Sequence, residues 1–251
     1  MLRKIICSTL LLTFNPIFLS SCDPLQKDAL TGQFAAAENK TISNQNQSRT
    51  YGILKDTYKK SHITINFPQI VDLHDANKEK SINTMMKNEA LKVLNYYSQE
   101  EKDLTLEINY VIKWKSTNLL SIQYSGLGNV KGTAHPNHHF YTTNIRIDKG
   151  TRLRLKDLVK INEGFVEKVK KESIALNAEH NGVLERFTNL DLIHLFNNAD
   201  SLDTIGTENQ SDTFSYLTKD SLGISLGVSH AEGDHAEFEV KYQDIGKMLD
   251  N

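Results

Sequence analysis

Cysteine, proline and tryptophan are scarce in this chain: two, four and one among 251 residues. Both cysteines, Cys7 and Cys22, fall within the first 22 residues, so no disulfide framework cross-links the rest of the chain. Past that opening stretch no apolar run approaches the roughly 20 residues that a membrane-crossing helix needs. Neither sign of charge dominates: 29 Lys and Arg stand against 31 Asp and Glu, a formal net charge of −2. That balance lacks the basic footprint of a nucleic-acid binder, and no such partner is expected. The basic patches at Lys59-Lys60 and at 168–171 (KVKK) read as solvated surface. There is no internal repeat, no glycine-rich phosphate loop and no G-x-S-x-G nucleophile elbow.

The amino end carries the first positive signal. Arg3 and Lys4 precede an apolar stretch from Ile5 to Leu19, and Leu19-Ser20-Ser21-Cys22 comes next. A basic start, a short apolar core and small residues before a cut describe an export signal, too short to remain as a membrane span. Leu-Ser-Ser-Cys resembles the bacterial lipobox, at which the cysteine is diacylated and becomes the mature amino end. Residues 1–21 are therefore read as a lipoprotein signal peptide and Cys22 as the lipidated residue. Two acyl chains, such as palmitate, suffice for stable anchoring. Acylated Cys22 forms no disulfide, and a mature chain of roughly 230 residues buries enough surface to fold without one. Loss of Arg3 and Lys4 takes the net charge from −2 to −4. The implied location is the periplasmic or extracellular face of the cell membrane. In a Gram-negative cell, Asp23 would resemble an inner-membrane retention signal.

Residues 22–57 are poor in large apolar groups and rich in Gln, Asn, Ser, Thr and Ala, a composition that does not offset ordering entropy. They read as a flexible tether, leaving 58–251 as the folded domain. There, "SHITINFPQIV" alternates around Ile63, Ile65 and Phe67, with Pro68 ending the strand or pushing it to an edge. Between Asn77 and Tyr97 the spacing changes to three and four. Ile82, Met85, Met86, Ala90, Val93, Leu94 and Tyr97 form one stripe of a helix, and Asp75 is its candidate N-cap. "LTLEINYVIKW" is the clearest strand, "LLSIQYSGLGNV" its partner, and "FYTTNIRI" a third. Helical patterning continues over 163–177 and 184–196. A hairpin of "DSLGISLGVS" and "AEFEVKY" turns at "HAEGDH", and "YQDIGKML" reads as a terminal helix. An amphipathic helix must lie on something, so the expected architecture is α+β: an antiparallel sheet with helices packed on one face and water on the other.

Several stretches together resemble the PdaC/RsiV-like extracellular domain family, found in lysozyme-sensing anti-sigma factors and beside the catalytic domain of certain peptidoglycan deacetylases. They are "INFPQIVDL", the Asn-containing "SINTMM", "LEINYVIKWKSTNLLSIQY", "GTAHPNHHFYTTNIRIDKGTRLRLKDLV" and "LGISLGVSHAEGDHAEFEVKYQDI", spanning about residues 60–246. Thr133 stands where a second glycine is usual, Lys241 where proline is common, and His230 in a stretch that often reads Pro-Tyr. No Asp-Asp pair of the deacetylase kind occurs. The resemblance thus implies the accessory domain alone, tethered by lipid and binding cell-wall material or a wall-degrading enzyme such as lysozyme; another envelope protein is the alternative partner.

Five histidines are the remaining candidates. His135, His138 and His139 come after the turn at Gly132, and His230 and His235 flank the last turn together with Asp234. His135 and His139 stand at an H-x3-H spacing that on a helix would aim two imidazoles at one metal, but Pro136 biases His135 away from the helical region. In a strand, His138 and His139 point to opposite faces. The expectation is a polar corner that shapes a ligand-binding loop, with no catalytic residue, metal or cofactor. Two alternatives stay open: a metal-dependent hydrolase built on the five histidines, which would need three or four ligands at about 2.0–2.1 Å, and an envelope assembly lipoprotein.

Overall fold

The computed structural model describes residues 50–97 and 103–246. The leader, Cys22, the tether up to residue 49 and the last residues of the expected terminal helix lie outside the described residues. Strands β1 (Gly52–Lys60), β2 (Ile63–Val71), β3 (Leu104–Lys115), β4 (Leu119–Val130), β5 (Asn137–Arg146) and β6 (Thr151–Leu153) form one sheet in that order. A second sheet holds β7 (Ile174–Ala175), β8 (Phe214–Leu217), β9 (Ser221–Gly227) and β10 (His235–Lys241), ordered β7-β10-β9-β8.

Helix α1 (Ala76–Leu91) forms where the three-and-four spacing places it. The Asp75 carboxylate accepts the Lys78 N–H at 3.0 Å, as an N-cap should. Ile82, Met86 and Ala90 are buried, and a 3-10 continuation over Lys92–Tyr97 adds Val93 and Tyr97 to the same stripe. This stripe packs on the sheet face carrying Leu106, Ile108, Ile122, Tyr124, Tyr141 and Ile145, all within one core. Tyr141 locks the contact by donating its hydroxyl to the Ala90 carbonyl at 2.7 Å.

The α+β class is as expected, and the sheet is more elaborate in two respects. First, β2 and β3 run parallel, pairing Ile63 with Leu106 and Ile65 with Ile108. A helix between two neighbouring strands carries the chain back to its starting end, so the strands flanking α1 must run the same way. Second, the face away from α1 is not uniformly wet. At β5, Phe140, Thr142 and Asn144 are buried as well as Tyr141 and Ile145, because the second sheet lies against them. Its own far side packs a second core with α3 (Glu163–Glu172) and α4 (Asn189–Asn197), reached through the short α2 (Leu155–Leu158). The one-turn α5 (Tyr242–Ile245) ends the described chain.

Residues 52–57, expected in the tether, belong instead to β1. Its sequence, GILKDTYKK, hides the strand signal because an edge strand buries little and carries lysines that discourage further pairing. Pro68 does not end β2: the strand continues to Val71, paired throughout with β1. The neighbouring N–H of the same parity, on Ile70, points away from β1 and is bound by Asn83 Oδ1 at 2.7 Å, while Asn83 Nδ2 donates to the Ile70 carbonyl at 2.9 Å. Pro68 therefore lacks a donor only on the side that β3 leaves unpaired, where the proline costs no ladder bond. One asparagine of α1 completes the strand edge in place of a neighbour.

The two sheets meet through buried polar groups. Asp200, held at φ +61° and 5% exposed, accepts from the Ser215 N–H and hydroxyl and from the Leu155 N–H at 2.5–2.6 Å. Thr142 and Asn144 of β5 donate to the Ser215 carbonyl at 2.6 and 2.9 Å, and Ser121 of β4 accepts the Leu217 N–H at 2.9 Å. Side chains of the first sheet thus do for β8 what a paired strand would do.

Replacing Asn83 with alanine strands both Ile70 backbone groups, and we expect urea denaturation to report a loss of about 1–3 kcal/mol. An unchanged midpoint would show that water replaces the amide without cost.

Candidate functional site

Only residues 144–146 of β5 pair with β6, so the first half of β5 borders no strand on that side. A groove of about 520 Å³ opens there, lined by Tyr96, His138–Tyr141, Leu202, Asp212, Phe214, Val228 and Asp234 among others. Three segments build it. The β9–β10 turn forms one wall, the 198–213 segment the other, and β5 the floor.

The turn is shaped by unusual backbone. A 3-10 turn at His230–Glu232 is followed by Gly233 at φ +97° and Asp234 at φ +69°. Aspartate tolerates the left-handed region better than most side chains, and the loop closes with the Val228 N–H donating to the Asp234 carbonyl at 3.0 Å. The result aims the Asp234 carboxylate at β5, where it accepts the His138 N–H at 2.9 Å and lies 3.0 Å from His230 Nδ1. Burial works upward on this carboxyl, but the His138 N–H and the His230 ring hold it below the usual carboxylate range. His180 steadies the same loop from behind, its Nε2 lying 3.0 Å from the Glu232 carbonyl. The opposite wall is fixed by charge: Arg152 and Lys92 each bridge Glu89 and Asp203, and Arg154 adds a third contact to Asp203 at 3.2 Å. Beyond it, Asp212 is held by the Tyr96 hydroxyl at 3.2 Å and Gln210 Nε2 at 3.0 Å.

The five histidines divide. His138 and His139 project to opposite faces of β5, as strand alternation requires. His135, His138 and His230 gather at the turn, with ring centroids 5.2 Å apart for His135–His230 and 6.3 Å for His138–His230. His139 turns instead toward α1, where it shares a hydrogen bond with the Tyr97 hydroxyl and packs against the Tyr96 ring. Glycine at 128 makes room for this pair, since a Cβ there would stand 2.2 Å from the Tyr97 oxygen. Burial pushes the His139 imidazole down to about 4, against the upward pull of Asp234 and Asp212. His235 stacks on Phe140 at 4.7 Å. Gly132, at φ +96° with open space around it, serves the exposed turn before β5.

Among the described residues no three of His, Cys, Asp and Glu are placed to hold a metal ion. Among them, too, the hydrogen-bond partners of imidazoles are tyrosine, asparagine, aspartate and a backbone carbonyl, not a serine or threonine hydroxyl. What the groove offers is an apolar and aromatic floor with two carboxylates on its rims and no Lys or Arg in its lining. Sequence reasoning located the turns but missed Tyr96, Phe140 and Asp212. The Tyr96-Tyr97 pair ending a helical stripe was the signal available for the first; Asp212 sits in a stretch with no periodicity at all.

No family profile and no curated protein matches the chain by sequence. Among solved structures, a DUF3298 family protein from Pseudomonas aeruginosa is similar with a TM-score of 0.51 and 11% identity, covering 80% of this chain and 94% of that one. A member of the DUF3298 family from Bacteroides fragilis gives 0.49 and 16% over the same shares. The first of these likenesses shows a shared fold.

Two buried titrations oppose each other across one pH window. Burial pushes the Asp200 carboxyl up to about 6, against the Ser215, Leu155 and Thr142 donors. Asp200 therefore favours folding at low pH, and its contribution is lost as pH rises from about 4 through 6. His139, lowered from 6.5 to about 4, contributes in the reverse sense, its stability being lost as pH falls through the same range. At 1.36 kcal/mol per pH unit each amounts to at most about 3 kcal/mol, and the two nearly cancel. Relative to the parent, Asp200→Asn should gain stability as pH rises from about 4 to 6, whatever constant loss its misplaced amide adds, and His139→Gln should lose it. Parallel denaturation profiles for parent and variants would refute both assignments.

Proposed function

We propose that this protein is a lipid-anchored, non-catalytic binding module of the cell envelope, recognising peptidoglycan or a wall-degrading enzyme such as lysozyme. One observation carries the reading. Residues 132–141, within the stretch most specific to the resemblance, and the last turn, 226–235, lie far apart in sequence yet meet at one groove. The DUF3298 neighbours are consistent with the same family of domains. The groove's chemistry supports binding: aromatic and apolar walls with convergent polar groups are what ligand sites are made of. The leader and the Leu-Ser-Ser-Cys motif support anchoring through Cys22, which holds the module at the membrane.

Purified protein should be retained on isolated peptidoglycan or form a complex with lysozyme in titration calorimetry. Tyr96→Ala and Asp234→Asn should each weaken whichever interaction is found by about tenfold. Neither retention nor a complex at micromolar concentrations would remove the reading. Separately, Cys22→Ser should move the protein from the membrane to the soluble fraction; unchanged fractionation would overturn the anchor.

A further inference from the structure

We infer that the groove receives an extended, cationic peptide segment of a protein partner, which adds to the free edge of β5. The inference deepens the binding-module reading and rests on it. Its first support is backbone geometry. In an antiparallel ladder alternate residues turn both their N–H and C=O away from the paired strand. The His138 N–H points away from β4, to Asp234, so the groups of Phe140, of the same parity, also face the groove side. Over 137–139 the strand is partly or fully open to solvent, and on the side away from β4 no strand of either sheet pairs with it.

An exposed edge is a template for another chain, and proteins commonly block such edges with charge. Here the block is the Asp234 carboxylate, which accepts the His138 N–H as an incoming strand's carbonyl would. It is delivered by a loop with two successive left-handed residues, Gly233 and Asp234, and not by a rigid strand. An arriving segment replaces that hydrogen bond and frees a carboxylate beside it.

Side-chain chemistry selects the occupant. An added strand points alternate residues to opposite sides. One side of the groove offers Phe140, Phe214, Leu202 and Val228 to apolar residues. The rims carry Asp212 and Asp234, with no Lys or Arg among the lining residues to neutralise them. Alternating apolar and Lys or Arg residues therefore complement both the shape and the charge. This is strand addition, with main-chain hydrogen bonds supplying affinity and side-chain pockets supplying selectivity.

The test uses capped, fluorescent peptides of about eight residues alternating lysine and valine, titrated against the full chain by anisotropy. We expect saturable binding that weakens by about tenfold when lysines become glutamates, and by as much when the amides of one edge are N-methylated, which leaves charge intact. Asp212→Asn should weaken the lysine–valine peptide about threefold, and salt at about 0.5 M should do likewise. Equal binding of the N-methylated peptides, in both registers, would overturn strand addition. Equal binding of the glutamate peptide would overturn the cationic preference. If no peptide binds at millimolar concentration while isolated glycan strands of peptidoglycan are retained, this inference fails and the binding-module reading stands. If neither peptides, glycan strands nor lysozyme bind, both fail together.

Discussion

Strand β8 reaches the first sheet without pairing to it, and the backbone groups on its edge away from β9 would be buried without partners were it not for the side chains gathered around Asp200. An unpaired buried donor costs about 1–3 kcal/mol, and here three are at stake: the N–H groups of Ser215, Leu155 and Leu217. Asp200 satisfies the first two and Ser121 the third, while Thr142 and Asn144 donate to the Ser215 carbonyl. Two apolar cores lie on either side of this layer. Hydrophobic burial is non-directional, so it brings the two sheets together without setting their register. The hydrogen bonds of the polar layer supply that register.

The groove inherits its shape from the same layer. Asp200 sits at the head of the segment that carries Leu202 and Asp212, and the Glu89–Arg152–Asp203–Lys92 ion pairs fasten the middle of that segment to α1 and β6. Across the gap, the β9–β10 turn is held by His180 and by the Arg186–Glu232 pair. Both walls are thus anchored on elements of the two cores, the β9–β10 wall through two successive left-handed residues, Gly233 and Asp234.

The histidines illustrate how far local reasoning reaches. That His138 and His139 face apart follows from strand geometry alone, and Pro136 correctly argued against a helix through His135. The partners of those rings did not follow. Tyr97 stands 42 residues from His139, and Asp234 stands 96 from His138. Four-residue β8, buried on both faces, left no alternation to read, and lysine-rich β1 resembled the polar stretch of sequence before it.

Periodicity and capping are short-range, so the amino-acid sequence by itself determined α1 with its Asp75 cap, the strands β3, β4 and β5, the last hairpin and the α+β class. Each is specified within about a dozen neighbouring residues, where side-chain spacing and backbone geometry are directly linked. Only the tertiary structure decided the parallel β2–β3 pair, the division into two sheets, the burial of Asp200 and the groove beside β5. Most of these arise where segments far apart in the chain are brought together, as Thr142 and Asn144 are with Ser215, 73 and 71 residues away. Contacts at that range depend on how layers pack, and packing leaves no repeating mark on the residues that take part.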